Sequence, residues 1–373
     1  MIHHPENSGI PRPTRQPSSG CCAIPLKGNN ASRWHTSHKM ENIEQMRKTI
    51  IIIIIFFALI LVSCSFQPKW VLLHPSNNPP ALAQSGFAYD TKSDEGIVFG
   101  GIYKDKWSDD TWIWNGSDWR KAGSTNKPPA REKVAMAYDE TRDKVVIFGG
   151  SMDKTIFDDT WEWDGKDWKL AKSVHKPPAR CCHAMAYDSV KKKVLLYGGW
   201  NSITGEFFND TWVWDGKDWK QLSSGNAPLS AAHMLVNFST EKKLISVPSS
   251  TFANTWEWDG NGWNEILSRP IPSRADGRSI FDSKYKRIVF FGGIEKSTTF
   301  LNDTWVFDGQ IWNLLKVSSP PPPRFAHIMF YDLKRHSIIL FGGAGKESLL
   351  GDTWELVLPQ DLSAMVVEKT PTP

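Results

Sequence analysis

The stretch "DDTWEWDGKDW", Asp158 to Trp168, packs three tryptophans into eleven residues, and close copies of it recur down the chain. Its triplet Asp-Thr-Trp, or Asn-Thr-Trp, recurs with Trp112, Trp161, Trp212, Trp256, Trp305 and Trp354, at spacings of 49, 51, 44, 49 and 49 residues. A fixed period of this length marks a repeat architecture. A second tryptophan follows the first by seven residues at Trp119, Trp168, Trp219, Trp263 and Trp312. About ten residues upstream of five of the triplets, an apolar run ends in a glycine pair, closing at Gly101, Gly150, Gly199, Gly293 and Gly343. The fourth copy places Pro248 and Ser249 there instead. Before that run comes another apolar segment such as "VAMAYD", ending at Asp139, and before it a proline-rich linker such as "KPPAR".

Each unit reads as four short strands joined by turn signals, which predicts blades of an all-β propeller rather than a helical repeat. The glycine pair, the later Asp-Thr-Trp, the final tryptophan and the ~50-residue period resemble the kelch repeat. The sixth unit stops after its third strand, "DTWELVL", while "KWVLL" at Lys69 to Leu73 precedes the first full unit. The resemblance therefore implies a six-bladed kelch-type β-propeller over residues 65–358, its last blade completed by the N-terminal strand around Trp70. Closure of this kind leaves no long sheet edge exposed.

The Asp-Gly or Asn-Gly pair inside each copy predicts a two-residue hairpin, which would set Trp161 opposite Trp168. Sixteen of the nineteen tryptophans sit at repeat positions. A residue needed in every blade is explained by packing between blades before any ligand. Trp34, Trp107 and Trp200 stand outside the pattern.

In an up-and-down blade, the linker before strand 1 and the loop between strands 2 and 3 emerge at one end, so functional residues are expected there. Arg131, Arg180, Arg274 and Arg324 share one linker position, occupied by Leu82 and Ser230 in the other two units. Guanidiniums around a channel mouth suit carboxylate or phosphate, and the resemblance implies contact with acidic peptides. The alternative is that they pair with neighbouring-blade carboxylates or carbonyls and brace the linkers. Tyr103, Trp107 and Trp200 occupy the strand 2 to strand 3 loops as candidate interface anchors. His183 and His327, three residues after linker arginines, either face the channel or sit within the inner strands. Cys181 and Cys182 open a strand, with side chains expected on opposite faces. They serve either as small half-buried hydrophobes or as a vicinal redox pair.

Residues 1–63 hold seven basic and three acidic residues, leaving 37 of each sign in the rest. A neutral body carries no nucleic-acid signature. From Met46 the chain reads "MRKTIIIIIIFFALILVSCSF", two charges and thirteen apolar residues before Ser63 and Cys64. This is a signal-peptide layout. Thirteen residues of helix rise about 20 Å, short of a ~30 Å hydrocarbon core. "LVSC" resembles a bacterial lipobox, which implies lipid attachment at Cys64 and a membrane-anchored protein of the cell envelope facing out of the cytoplasm. An uncleaved signal anchor and a plain secreted protein are the alternatives. Residues 1–45 are expected to be a disordered tail or an extension upstream of the true start at Met46, and 359–373 a disordered tail.

The resemblance also implies enzymes, since galactose oxidase and a six-bladed sialic-acid mutarotase are kelch propellers. No Tyr/His/Cys copper constellation, HExxH or phosphate loop stands outside the repeats. Glu132 or His183 beside Arg131 and Arg180 would serve a sugar-modifying enzyme as acid and base. A binding module for a protein or carbohydrate, monomeric and without metal or cofactor, is the expected function. A passive structural module is the remaining alternative.

Overall fold

The computed structural model describes residue 40 and residues 43–54, 67–222, 233–238, 241–248, 254–267, 271–360 and 366–368. Met1–Ser65 and Phe66–Pro373 form separate compact units. In the first, residues 43–54 are helical. Among the described residues no helix is long and apolar enough to cross a membrane. Cys64 and the end of the leader lie outside the described residues.

Six antiparallel sheets follow one another along the second unit. The second blade is typical: Ala135–Asp139, Lys144–Phe148, Thr160–Trp163 and Trp168–Ala171 pair in sequence order. The sixth is built from both ends of the chain. Lys69–Leu73 pairs antiparallel with Thr353–Val357, Lys69 against Val357 and Leu73 against Thr353. This is the closure that the orphan strand predicted. Within the segment expected to be a disordered tail, Val366–Glu368 add a fifth strand to blade 5, alongside Trp312–Leu315.

The repeated tryptophans explain why the blades stay together. The final tryptophan of each blade donates its indole N–H to the triplet threonine of the preceding blade: Trp119 to Thr353, Trp168 to Thr111, Trp219 to Thr160, Trp263 to Thr211 and Trp312 to Thr255. Trp70, on the closing strand, completes the ring by donating to Thr304 at 3.1 Å. The other five lie between 2.8 and 3.1 Å. Each bond is worth about 1 kcal/mol net, and each would leave a buried indole unsatisfied if its threonine were lost. Around these pins the apolar side chains gather into clusters that each draw on two adjacent blades, as Ile97, Phe99 and Ile113 of blade 1 pack with Val145, Ile147 and Trp168 of blade 2.

The hairpin register differs from the two-residue turn expected. Trp163, not Trp161, faces Trp168, and Trp161 faces Leu170. The loop is four residues long because the Asp164 carboxylate accepts the N–H groups of Lys166 and Asp167, at 3.1 and 2.9 Å. An Asx turn of this kind supplies the chain reversal itself, and Asn115, Asp215, Asp259 and Asp308 repeat it. The Trp163 and Trp168 rings still meet, 5.5 Å apart.

The glycine pairs have a steric cause. Gly149 and Gly150 both hold positive φ, 64° and 95°, and Gly150 donates to the carbonyl of Arg180 in the next blade at 3.0 Å. A Cβ on Gly149 would run into that same carbonyl. Each pair thus makes room for the neighbouring linker. Gly343 closes the cycle by donating to Leu82 at 2.7 Å.

Candidate functional site: the linker end of the central channel

The four linker arginines brace their linkers, but against carboxylates of their own blades rather than of neighbouring ones. Arg131, Arg180 and Arg324 are 0% exposed and Arg274 is 5% exposed. Arg180 grips both oxygens of Asp210, at 2.5 and 2.9 Å, and donates further to the carbonyls of Pro178 and Gly198. Arg131 holds Asp159 and Arg324 holds Asp352 in the same two-pronged way, while Arg274 reaches Asp303 through one nitrogen. These acids are the first residues of the Asp-Thr-Trp triplets, and their second oxygen also accepts the indole N–H of Trp161, Trp212, Trp305 and Trp354. Blade 4, with Ser230 at the linker position, carries Asn254 in place of the acid. In blade 1, where Leu82 stands, Asp110 pairs with Lys121 instead. Burial pushes the Asp159 and Asp352 carboxyls up, but the arginine bonds and charges outweigh it and hold both below the usual carboxylate range.

His183 and His327 are buried at 6% and 0% exposure. They pack edge-on against Phe148 and Phe291, with ring centroids 5.7 and 5.5 Å apart. Neither ring nitrogen of either residue has a hydrogen-bond partner of good geometry. Burial, reinforced by the nearby Arg180 charge, pushes His183 down to about 3, and His327 falls well below its usual value for the same first reason. Both are neutral at physiological pH, and of the two His183 also lines the central cavity.

Tyr103, Trp107 and Trp200 lie at the expected end, on two-residue hairpin strands that continue strands 2 and 3 outward. Trp200 stacks on Phe207 at 5.7 Å. None of the three lines the channel. Cys181 and Cys182 are free thiols. Their sulfurs lie 3.4 Å apart rather than on opposite faces, because Cys182 takes a left-handed φ of 56°.

That left-handed residue belongs to a ring. Gln84, Lys133, Cys182, Asp276 and Ala326, each two residues past the linker position, all have φ between 53° and 58°. Their main chains are stitched directly from blade to blade: Cys182 N–H to Lys133 O, Lys133 to Gln84, Gln84 to Ala326, and Ala326 to Asp276. The scaffold holds one backbone conformation while the side chains differ in size and charge. Below the ring, strand 1 of every blade contributes to a cavity of about 410 Å³, walled by Val134, Met136, Met185, Met234, Leu235 and Ile280 among others. Of the ring residues, Gln84, Lys133, Cys182 and Asp276 line it.

Lys133 and Asp276 were missed by the sequence reading, and so was Arg278, which lines the same cavity. Burial draws the Lys133 ammonium down, but nearby negative charge, Glu132 first, more than offsets this and holds it above its usual value. Glu132 Oε1 lies 3.7 Å from that ammonium. Burial pushes the Arg278 guanidinium below its usual value, with Asp276 opposing. The signal was available as position-by-position comparison: a charge two or four residues past the linker position, where other blades carry Gln, Cys, Ala, Gly, Met or Ile.

Residues 97–257 match the family model described as the KLHDC2/KLHL20/DRC7 Kelch-repeats domain. The chain is similar to the F-box/kelch-repeat protein At1g51550 of Arabidopsis thaliana, 38% identical over 21% of this chain and 18% of that one. It is also similar to adagio-like protein 1 of Oryza sativa subsp. japonica, 37% identical over 19% of this chain and 12% of that one. It thus spans under a fifth of the length of these curated relatives. The solved structure of YjhT superposes with a TM-score of 0.61 over 76% of this chain and 97% of that one, at 15% identity, which speaks to fold alone. With the repeated glycine pairs and Asp-Thr-Trp triplets, these matches place kelch repeats at residues 97–257 within a body that folds as a six-bladed β-propeller.

Proposed function

We propose that this chain is a membrane-anchored, extracytoplasmic binding module that holds a protein or glycan ligand at the linker end of its central channel. The observation that carries the reading is the ring of Gln84, Lys133, Cys182, Asp276 and Ala326, where one left-handed backbone is repeated and the side chains are not. A scaffold that fixes positions while varying chemistry around a cavity is suited to recognition, and apolar walls with a few polar groups are the common form of such sites. The anchor is the expected lipid on Cys64, five residues before Lys69, a reach of about 17 Å when extended. Lys69 pairs with Val357 at the end of a third strand, so the closing strand begins at the Asp-Gly-turn end and the linker end is left to face outward.

The test is a thermal-shift screen of the full chain with neutral sugars, sialic acids and acidic peptides. A ligand-induced shift that disappears in Lys133→Ala or Asp276→Ala supports the channel mouth. A shift retained in both variants refutes it.

A further inference from the structure

We propose that the channel below the ring is a site for a small organic carboxylate, its anion held by Arg278 and its apolar body by the methionine-rich wall; this deepens the binding reading above. Arg278 begins strand 1 of blade 5, pairing with Phe291. The same register position holds Gly86, Ala135, Ala184, Met234 and Ile328 in the other blades. The propeller therefore does not need a cation here. Arg131, Arg180, Arg274, Arg287 and Arg324 are each ion-paired. Arg278 has no ion pair among the described residues, and its one hydrogen bond goes to the carbonyl of its own neighbour, Gly277, at 3.1 Å.

A guanidinium offers five N–H groups in a planar fork that matches the two oxygens of a carboxylate. The guanidinium is partly exposed and lines the cavity, so the N–H groups not used on Gly277 are open to an anion that arrives with the ligand. The rest of the cavity suits an organic acid better than an inorganic ion. Met136, Met185 and Met234 present flexible thioethers from three blades, side chains that re-pack around irregular apolar shapes. The Gln84 Oε1 atom is buried with no partner and can accept an N–H or O–H from the ligand. Of the charged groups lining the cavity, Lys133 and Arg278 exceed Asp276 by one at this end, and Glu140 lies on the strand 1 to strand 2 side. About 410 Å³ falls at the small end of the range for ligand pockets, about 300–1,000 Å³.

The experiment is calorimetric titration of the full chain with hexanoate and benzoate, with hexanamide and benzamide as neutral matches. An acetylated peptide containing one glutamate, against its glutamine counterpart, separates a side-chain carboxylate from a free acid. The expected result is that at least one acid binds about 30-fold or more tightly than its amide, and that Arg278→Met removes the difference. Arg278→Lys keeps the charge but loses the fork, and retains only part of the affinity. Equal binding of acids and amides, or no binding of any acid, would each overturn the proposal. Binding lost in Lys133→Ala but kept in Arg278→Met would leave the ring as a binding site and remove Arg278 from it.

Discussion

Replacing Arg180 by methionine tests whether the linker arginines are braces. The side chain is 0% exposed and its partner Asp210 has a side chain only 16% exposed. The substitution removes two charge-assisted bonds to Asp210 and two bonds to the carbonyls of Pro178 and Gly198. It also takes a cation from the face of Phe208, 3.9 Å away. Asp210 keeps the indole N–H of Trp212, at 2.7 Å, but loses its counter-charge. Breaking a buried pair from one side costs about 3–5 kcal/mol. For a large domain about 2 °C is lost per kcal/mol, so Arg180→Met should melt about 6–10 °C below the wild type by calorimetry. The double variant Arg180→Met/Asp210→Leu should recover part of the loss, because no unpaired charge remains. An Arg180→Met protein melting within about 2 °C of the wild type would refute the bracing argument and return the arginine to the role of a free cation.

Trp219→Phe keeps the aromatic packing but removes the donor to Thr160, and should cost about 1–3 kcal/mol in urea unfolding, with Thr160→Val costing a similar amount and the double variant less than the sum. Because burial holds His183 and His327 below their unfolded values near 6.5, their contribution to stability is complete above that value and is lost as pH falls toward the folded values, about 3 for His183. Each should add about 1.4 kcal/mol per pH unit to the slope of stability below pH 6. His183→Phe should flatten that slope by its share, and an unchanged slope would contradict the burial argument. Spin labels at Gly165, on an Asp-Gly turn, and at Lys154, in a strand 2 to strand 3 hairpin, test the orientation. With the lipidated chain on vesicles, Gly165 should lie nearer the bilayer, and the reverse order would sink the proposed anchoring geometry.

How much of this was legible in the sequence depended on whether a residue repeats. Each residue of the triplet performs a recurring duty: the acid holds a linker arginine in four blades, the threonine takes the next blade's indole in all six, and the tryptophan packs. Such positions stand out by their period alone, and Trp70 could be placed as the closing strand because one blade lacked its last tryptophan. The hairpin register was not legible, because Asp164 reverses the chain with its own carboxylate and adds two residues to the loop. The arginines were legible only in part. Their periodicity marked them as important, but only the geometry shows that the matching acids are in the same blade. Arg278 and Asp276 have no counterparts in the other blades, so a search for repeats passes over them.

The central claim is that function resides in the unrepeated side chains of the channel, while the repeated tryptophans and arginines hold the scaffold. The most direct measurement is the ligand-induced rise in melting temperature, for one ligand, across Lys133→Ala, Asp276→Ala, Arg278→Met, Arg180→Met and Trp219→Phe. The account predicts that Lys133→Ala and Arg278→Met lose the rise and Asp276→Ala alters it, while Arg180→Met and Trp219→Phe start from a lower melting temperature and keep it. A rise lost in the arginine brace or the tryptophan pin and kept in all three channel variants would contradict it.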